Sequence, residues 1–251
     1  MSSASTKRQR QIIRLLQRDG EVKITEMKDL FSVTDMTLRR DLEKLEQSGV
    51  LIRTYGGAVL NNKDTALAER SRLRMAEKEL IGQTAAKLIL PGESIFIDSG
   101  STTLQIARSL PEEASITVVT NAIHVAAALG EKKIPTVVIG GVLLGKTNAM
   151  AGTSAIESIS KLAFDKVFLG TTGVSFQHGF SNSNMLEADI KRIAIQKAKD
   201  AFIVMDHTKF GENALFSFST LNEVSAIITD LRPSEDWESA LHAAATDILI
   251  V

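Results

Sequence analysis

Cysteine is missing from all 251 positions of this chain. Disulfides, thiol nucleophiles and cysteine-based zinc fingers are therefore excluded together. The four histidines, His124, His178, His207 and His242, are scattered without ligand spacing, so no metal centre is expected. No motif calls for a bound cofactor. Aromatic residues make up 5% of the chain against 44% hydrophobic residues in all, which leaves an aliphatic core as the packing solution. No apolar run has the length needed to cross a bilayer, and the N-terminus lacks the apolar segment of a signal peptide. A soluble, cytoplasmic protein is expected.

Net charge is nearly absent too, at −1, but it is unevenly spread. Residues 1–63 hold 12 Lys and Arg against 8 Asp and Glu, while residues 64–251 hold 17 against 22. A basic front and an acidic back give a modest electrostatic footprint for nucleic acid at the N-terminal end. The length suits two domains or one large α/β domain.

What is present is most specific at residues 34–45. Read as a helix capped by Thr34, this stretch puts Leu38, Leu42 and Leu45 on one face at i, i+4, i+7. Thr37, Arg40 and Lys44 fall on the far side, with Met36 and Gln47 beside them. Such a helix sits on a small core and offers donors to a DNA groove. Taken alone it is equally an ordinary solvated amphipathic helix, and its surroundings decide. Residues 5–19 carry Ile12, Ile13, Leu15 and Leu16 on a helical stripe ending at Gly20. A β-like piece at Val22, Lys23 and Ile24 follows, then a short helix capped by Thr25 with Met27, Leu30 and Phe31. Ser32 and Val33 turn into Thr34, and the second helix stops at Gly49. Residues 50–60 are β-rich and punctuated by Gly56 and Gly57, which fits a hairpin. Three helices followed by a hairpin form a winged helix-turn-helix, with Arg53 and Tyr55 on the wing.

Arg8, Ile12, Leu16, Thr34, Thr37, Leu38, Arg39, Arg40, Asp41 and Leu42 stand at the fixed offsets of a known signature, extended by Leu45, Glu46, Gly49, Arg53, Gly56, Gly57 and Ala58. In these residues the chain resembles the DeoR family of bacterial transcriptional regulators. Tyr55 stands where that family usually has His. The resemblance, with the residue types, marks Thr25, Thr34, Met36, Thr37, Arg39, Arg40, Lys44, Arg53, Tyr55 and Gly56 as DNA-binding candidates. Their partner would be double-stranded operator DNA.

Residues 1–62 are read as the DNA-binding domain, 63–78 as a linker and connecting helix, and 79–251 as an effector-sensing α/β domain. The connecting helix runs to Leu88 through Leu80, Ile81, Ala85 and Ala86. Beyond Pro91, seven short apolar runs alternate with helical patterns, at 95–97, 116–119, 136–139, 166–169, 202–205, 226–229 and 248–251. Strands apolar on nearly every residue are buried on both faces, and intervening helices make them parallel. An open, mostly parallel sheet with helices on both sides is expected.

In such sheets ligands bind beyond the carboxyl ends of the strands. Those ends here read Asp98, Gly100, Ser101, Thr102 and Thr103; then Thr120 and Asn121; then Gly140 and Gly141; then Gly170; then Asp206 and Lys209. Each one alone fits a cap or a turn. The family resemblance maps effector positions onto them and adds Glu187 and Lys191. It implies a sensor similar in fold to ribose-5-phosphate isomerase and coenzyme A transferases, responding to a phosphorylated sugar or polyol, and it implies repression. Lys209 is the first choice for pairing an anionic effector.

Two other readings compete. Aldose–ketose isomerisation needs a general base, usually a carboxylate, with further acids and a lysine; the related isomerases carry acids and a Lys-Gly-Gly-Gly run after the strand that corresponds to 166–169, where this chain has Gly170, Thr171, Thr172 and Gly173. Residues 140–147 fit the phosphate-loop pattern G-x-x-x-x-G-K-[ST], yet such a loop must open a full helix, and Gly152 cuts it short. Val142, Leu143 and Leu144 fit a hairpin better. A regulator of this kind is expected to work as a homo-oligomer, dimer or tetramer, placing paired helices at 36–47 in successive major grooves.

Overall fold

The computed structural model describes residues 8–9, 11–12, 15–16, 21–31, 33–47, 51–60 and 67–251. Ile13, the helix end at Gly20, the turn residue Ser32, the stop at Gly49 and the stretch 61–66 lie outside the described residues. The chain folds as two compact units, Met1–Lys63 and Asp64–Val251.

In the first unit, residues 8, 9, 11, 12, 15 and 16 are helical, followed by β1 (Glu21–Lys23), α1 (Ile24–Phe31), α2 (Asp35–Gln47), β2 (Leu51–Thr54) and β3 (Gly57–Leu60). Leu38, Leu42 and Leu45 are buried against Ile12, Leu16, Met27 and Leu51, so the leucine stripe is the core face of α2. Thr34 holds the position before α2, its carbonyl accepting from Thr37 N at 3.0 Å and Leu38 N at 3.2 Å. Two local details differ from the sequence reading. Ile24 begins α1, so Thr25 lies inside the first turn of the helix and is not its cap. The hairpin is also three-stranded, because β1 pairs antiparallel with β3 and Ile24 N donates to Gly56 O at 2.8 Å.

The second unit opens with α3 (Leu67–Arg70) and α4 (Met75–Lys87). Its frame is a seven-stranded sheet of β4 (Ser94–Ile97), β5 (Thr117–Thr120), β6 (Thr136–Val138), β9 (Phe164–Leu169), β12 (Ala198–Val204), β14 (Ala226–Thr229) and β15 (Asp247–Ile250). The order is β15-β14-β12-β9-β4-β5-β6, and every pairing is parallel. Alternate residues feed two cores. Ile95, Ile97, Phe168 and Val204 meet α4, α5 (Thr103–Ser109) and α6 (Ile123–Glu131) on one face. Phe96, Val167, Leu169 and Ile203 meet α7 (Thr153–Ser160), α8 (Met185–Gln196) and α9 (Glu235–Ala243) on the other.

The expectation of strands buried on both faces fails at the edge strand β6, where Val137 and Val138 are about half exposed because nothing pairs beyond them. One antiparallel addition was not expected: β10 (Gly173–Ser175), β11 (Gly179–Asn182) and β13 (Phe216–Ser219) form a sheet of their own, whereas β7 (Val142–Leu144) with β8 (Ala149–Ala151) forms the hairpin that Val142, Leu143 and Leu144 suggested. That hairpin carries the phosphate-loop pattern, and it leads into β8 where a nucleotide site needs a helix.

The strand order runs β4, β5, β6 to one side and β9, β12, β14, β15 to the other. It reverses between β4 and β9, the switch point at which open α/β sheets bind ligands.

The wing offers a clean test of the first unit. A Cβ on Gly57 would lie 1.9 Å from the Val22 carbonyl oxygen, whereas one on Gly56 meets nothing within 4 Å. Gly57→Ala is expected to break the β1–β3 pairing and lower the unfolding midpoint of this unit, with Gly56→Ala close to wild type in the same melt. Equal midpoints for the two variants would contradict the packing described.

Candidate functional site

In the first unit, the signature residues divide by burial. Asp41 is buried on α2; Arg8 donates to its Oδ2 from Nε at 2.6 Å, and Gln9 donates to its Oδ1 at 2.9 Å. Arg8 and Asp41 therefore clamp the first helical segment onto α2. On the opposite face Met36, Arg39, Arg40 and Lys44 are exposed, Thr37 is half-buried, and the Thr34 and Thr37 hydroxyls lie 3.0 Å apart. Thr25 is exposed on α1, and Tyr55 and Gly56 are exposed at the turn of the wing. Arg53 is exposed but engaged: its Nε donates to Glu46 Oε2 at 2.7 Å and its amide to Glu46 Oε1 at 2.9 Å. These two hydrogen bonds hold the Glu46 carboxyl below its ordinary pKa and fasten the wing to α2.

In the second unit, the switch point is occupied by one buried carboxylate. Asp98, just past β4, accepts from Gly100 N at 2.9 Å and Thr103 Oγ1 at 2.7 Å on Oδ1. Its Oδ2 accepts from Gly170 N, past β9, at 2.9 Å and from Lys191 Nζ of α8. Lys191 Nζ also donates to Gly170 O at 2.8 Å and lies 5.5 Å from the centre of the Phe218 ring. Burial disfavours the Asp98 anion, yet Lys191 and these hydrogen bonds hold its carboxyl below the ordinary range. Asp98, Gly100, Thr103, Gly170 and Lys191 thus meet in one network, with both carboxylate oxygens doubly engaged.

The remaining candidates surround it less directly. Ser101 and Thr102 are buried beside Thr103, and Thr120 is fully buried with its hydroxyl accepting from Ala122 N at 3.1 Å. Asn121 is buried; its Nδ2 donates to Met150 O at 2.9 Å and its Oδ1 has no protein partner. Glu187 is buried on α8 and accepts from Asn182 Nδ2 at 2.8 Å through Oε2, with Oε1 unpaired. Gly140 is exposed, and a Cβ on Gly141 would meet the Ala151 carbonyl at 2.5 Å, so Gly141 permits the hairpin to close. Asp206 is buried and caps the turn leading to Lys209, accepting from Thr208 N at 3.1 Å.

The connecting segment contributes residues that sequence reading passed over as a charged linker. Lys78, buried on α4, donates to Arg70 O at 2.6 Å and Leu73 O at 2.8 Å, holding the turn in which Arg74 adopts a left-handed φ of 52°. Burial lowers the Lys78 pKa to about 8, opposed by Asp206 and assisted by Lys209 and Arg70. Arg74 Nε lies 3.9 Å from Asp206 Oδ1. Asp206 thus faces Arg74 and Lys78, and Lys78 in turn feels Arg70 and Lys209. The one sequence signal was the density of arginine at 70, 72 and 74. Among the described residues no group of three His, Cys, Asp or Glu is placed to hold a metal ion, and no helix is long and apolar enough to cross a membrane.

Comparison with known proteins covers both units. The model of the DeoR-like helix-turn-helix domain matches residues 8–64, and that of the DeoR C terminal sensor domain matches residues 73–231. The chain is 32% identical over 243 residues to the HTH-type transcriptional repressor GlcR of Bacillus subtilis (strain 168), covering 95% of this chain and 93% of that protein. It is 31% identical over 231 residues to the glycerol-3-phosphate regulon repressor of Escherichia coli (strain K12), covering 91% and 92%. Among solved structures, ribose 5 phosphate isomerase A from Neisseria gonorrhoeae aligns with a TM-score of 0.40 at 16% identity, over 53% of this chain and 52% of that one.

Removing one partner of a buried ion pair strands the other charge. Lys191→Met is expected to cost the second unit about 3–5 kcal/mol in denaturant unfolding. The double variant Asp98→Asn with Lys191→Met should recover part of that loss, and an additive double variant would show that the pair is not coupled.

Proposed function

The chain belongs to the DeoR family of transcriptional regulators, and from that membership we propose that it represses a carbohydrate or polyol catabolic operon under control of a phosphorylated sugar metabolite. Its relatives include proteins named as a repressor and as the repressor of a glycerol-3-phosphate regulon, which supports both the sign and the ligand class. The observation that carries the DNA-binding half is the division of α2 into a clamped, leucine-anchored face and an exposed face of Met36, Thr37, Arg39, Arg40 and Lys44. An exposed Arg or Lys row on a helix anchored this way suits the major groove, where one base-reading arginine discriminates by about 1–3 kcal/mol. Repeated half-sites read by a homo-oligomer in the cytoplasm complete this reading.

The sensing half rests on the switch point. Arg70, Arg74, Lys78 and Lys209 supply positive charge for a phosphate, while the unpaired Asn121 Oδ1 and Glu187 Oε1 await polar partners. The loops at 98–103 and 170–173 border that space. The same geometry favours binding over catalysis. A base for isomerisation needs a free carboxylate at the reacting carbon; the Asp98 oxygens are both engaged by Gly100, Thr103, Gly170 and Lys191, and Glu187, though one of its oxygens is unpaired, is tied to Asn182 through the other. Nucleotide binding at 140–147 is disfavoured by the hairpin.

Two measurements test the two halves. Fluorescence anisotropy on DNA from the protein's own promoter region should show Arg40→Ala weakened at every salt concentration. Lys44→Ala should lower the salt slope by about one unit if it meets a phosphate. Unchanged binding by Arg40→Ala would remove α2 from the interface. For the effector, a phosphate dianion beside Lys78 favours its charged form and raises a pKa that stands at about 8. Calorimetric titration with sugar phosphates at pH 8, in buffers of different ionisation heat, should therefore register uptake of up to about half a proton, giving way near pH 6 to net release from the phosphate itself, whose second pKa is about 6. Binding heats that do not depend on the buffer at pH 8 would separate Lys78 from the anion.

A further inference from the structure

The hairpin of β7 and β8 lies against the segment that follows β5. Met150 N donates to Asn121 O at 2.7 Å, Ala149 and Ala122 form an antiparallel bridge, and Ile123 N donates to Asn148 O at 3.1 Å. One residue further along each segment stand His124, in the first turn of α6, and Thr147, in the turn that precedes β8. Thr147 and Asn121 are each 2% exposed. Thr147 Oγ1, Asn121 Oδ1 and both ring nitrogens of His124 are buried with no hydrogen-bond partner. Three polar side chains carried by these two adjoining segments thus have buried, unpaired polar atoms. Such groups cost stability unless something supplies their partners.

We propose that Thr147, His124 and Asn121 form a subsite that reads hydroxyl groups on the uncharged part of the effector. This rests on the effector-sensing reading above and names what the sensor recognises beyond a phosphate.

Donor and acceptor chemistry selects the ligand. Asn121 is oriented by its Nδ2 bond to the Met150 carbonyl, so Oδ1 is a fixed acceptor. A threonine hydroxyl donates and accepts, and a neutral imidazole does one with each nitrogen. Burial, helped by Arg70 and Arg108 and opposed by Asp98, keeps His124 neutral by lowering its pKa to about 4. A phosphate oxygen accepts only and would leave Asn121 Oδ1 and one imidazole nitrogen unpaired. Hydroxyl groups both donate and accept, so a polyol chain or sugar ring satisfies all three residues. The subsite lies within the fields of Asp98 and Arg70, near the cationic groups suited to the phosphate. The hairpin tip also receives the start of the connecting segment, since Leu67 N donates to Lys146 O at 2.9 Å. Occupancy at Thr147 therefore bears on α3 through the adjoining residue.

The test is calorimetric titration of the full chain with inorganic phosphate, a panel of four- to six-carbon polyol and sugar phosphates, and the same polyols without phosphate. At least one polyol or sugar phosphate should bind more tightly than inorganic phosphate. Thr147→Val and His124→Phe should each lower that affinity about tenfold or more while leaving inorganic phosphate within about twofold. Thr147→Ser should retain it. Unliganded Thr147→Val should unfold no earlier than wild type, because it deletes an unpaired buried hydroxyl; a structural hydroxyl would give the opposite. Neutral polyols that bind and lose affinity in the variants, without any phosphate-dependent gain, would uphold the subsite and overturn the phosphate reading. No affinity gain over inorganic phosphate with any probe, or a gain that both variants keep, overturns the proposal.

Discussion

A carboxylate out of water must be neutralised where it stands, and the Asp98 anion imposes that condition on the centre of the second unit. Its partners come from the loop after β4, the loop after β9 and the middle of α8. Losing Lys191 leaves a buried charge without compensation and losing any other donor leaves it a hydrogen bond short, so loops separated by some seventy residues and a helix further on are held at one point. That point is also where the strand order reverses, and where the crevice of an open sheet lies. The site is thereby pre-organised by an interaction that a ligand does not need to touch.

The first unit uses the same device at smaller scale. The Arg8–Asp41 pair joins the first helical segment to α2, and the Arg53–Glu46 pair joins the wing to it. A small core, with ten buried hydrophobic residues among those described, has little apolar area to fix helix orientation, so charge-assisted hydrogen bonds take over part of that work. The consequence for function is a division of labour within one motif. Arg8 and Asp41 hold the helix, while Arg39, Arg40 and Lys44 are left on the solvent side.

The sensing region departs from this economy. Around the switch point, Asn121, His124, Thr147 and Glu187 keep buried polar atoms without partners. Arg70 in the connecting segment does so as well, at Nε, whereas Thr120 and Asp206 are satisfied within the fold. On the proposed reading, such unpaired groups are the cost of a surface shaped for a ligand, since partners made within the protein would have to be broken on binding.

Much of this was legible in the sequence because it is periodic or local. The leucine spacing in α2 gave its buried face, and seven apolar runs became the seven strands of the parallel sheet. The hairpin at 142–151 followed from three bulky residues where a phosphate loop needs small ones. The sequence by itself thus determined the two architectures, the family and the strand ends where polar residues collect. Partner choice belonged to the tertiary structure. Nothing local distinguishes Asp98, saturated by four donors, from a carboxylate waiting for a ligand, or reveals that Lys191 is its counterion ninety-three residues away. Nor does spacing announce that the segment at 121–123 runs beside 148–150, or that Lys78 holds the arginine-rich turn at 70–74. Periodicity records which face of an element avoids water; which polar groups find one another depends on where distant segments are brought together, and only the packed chain decides that.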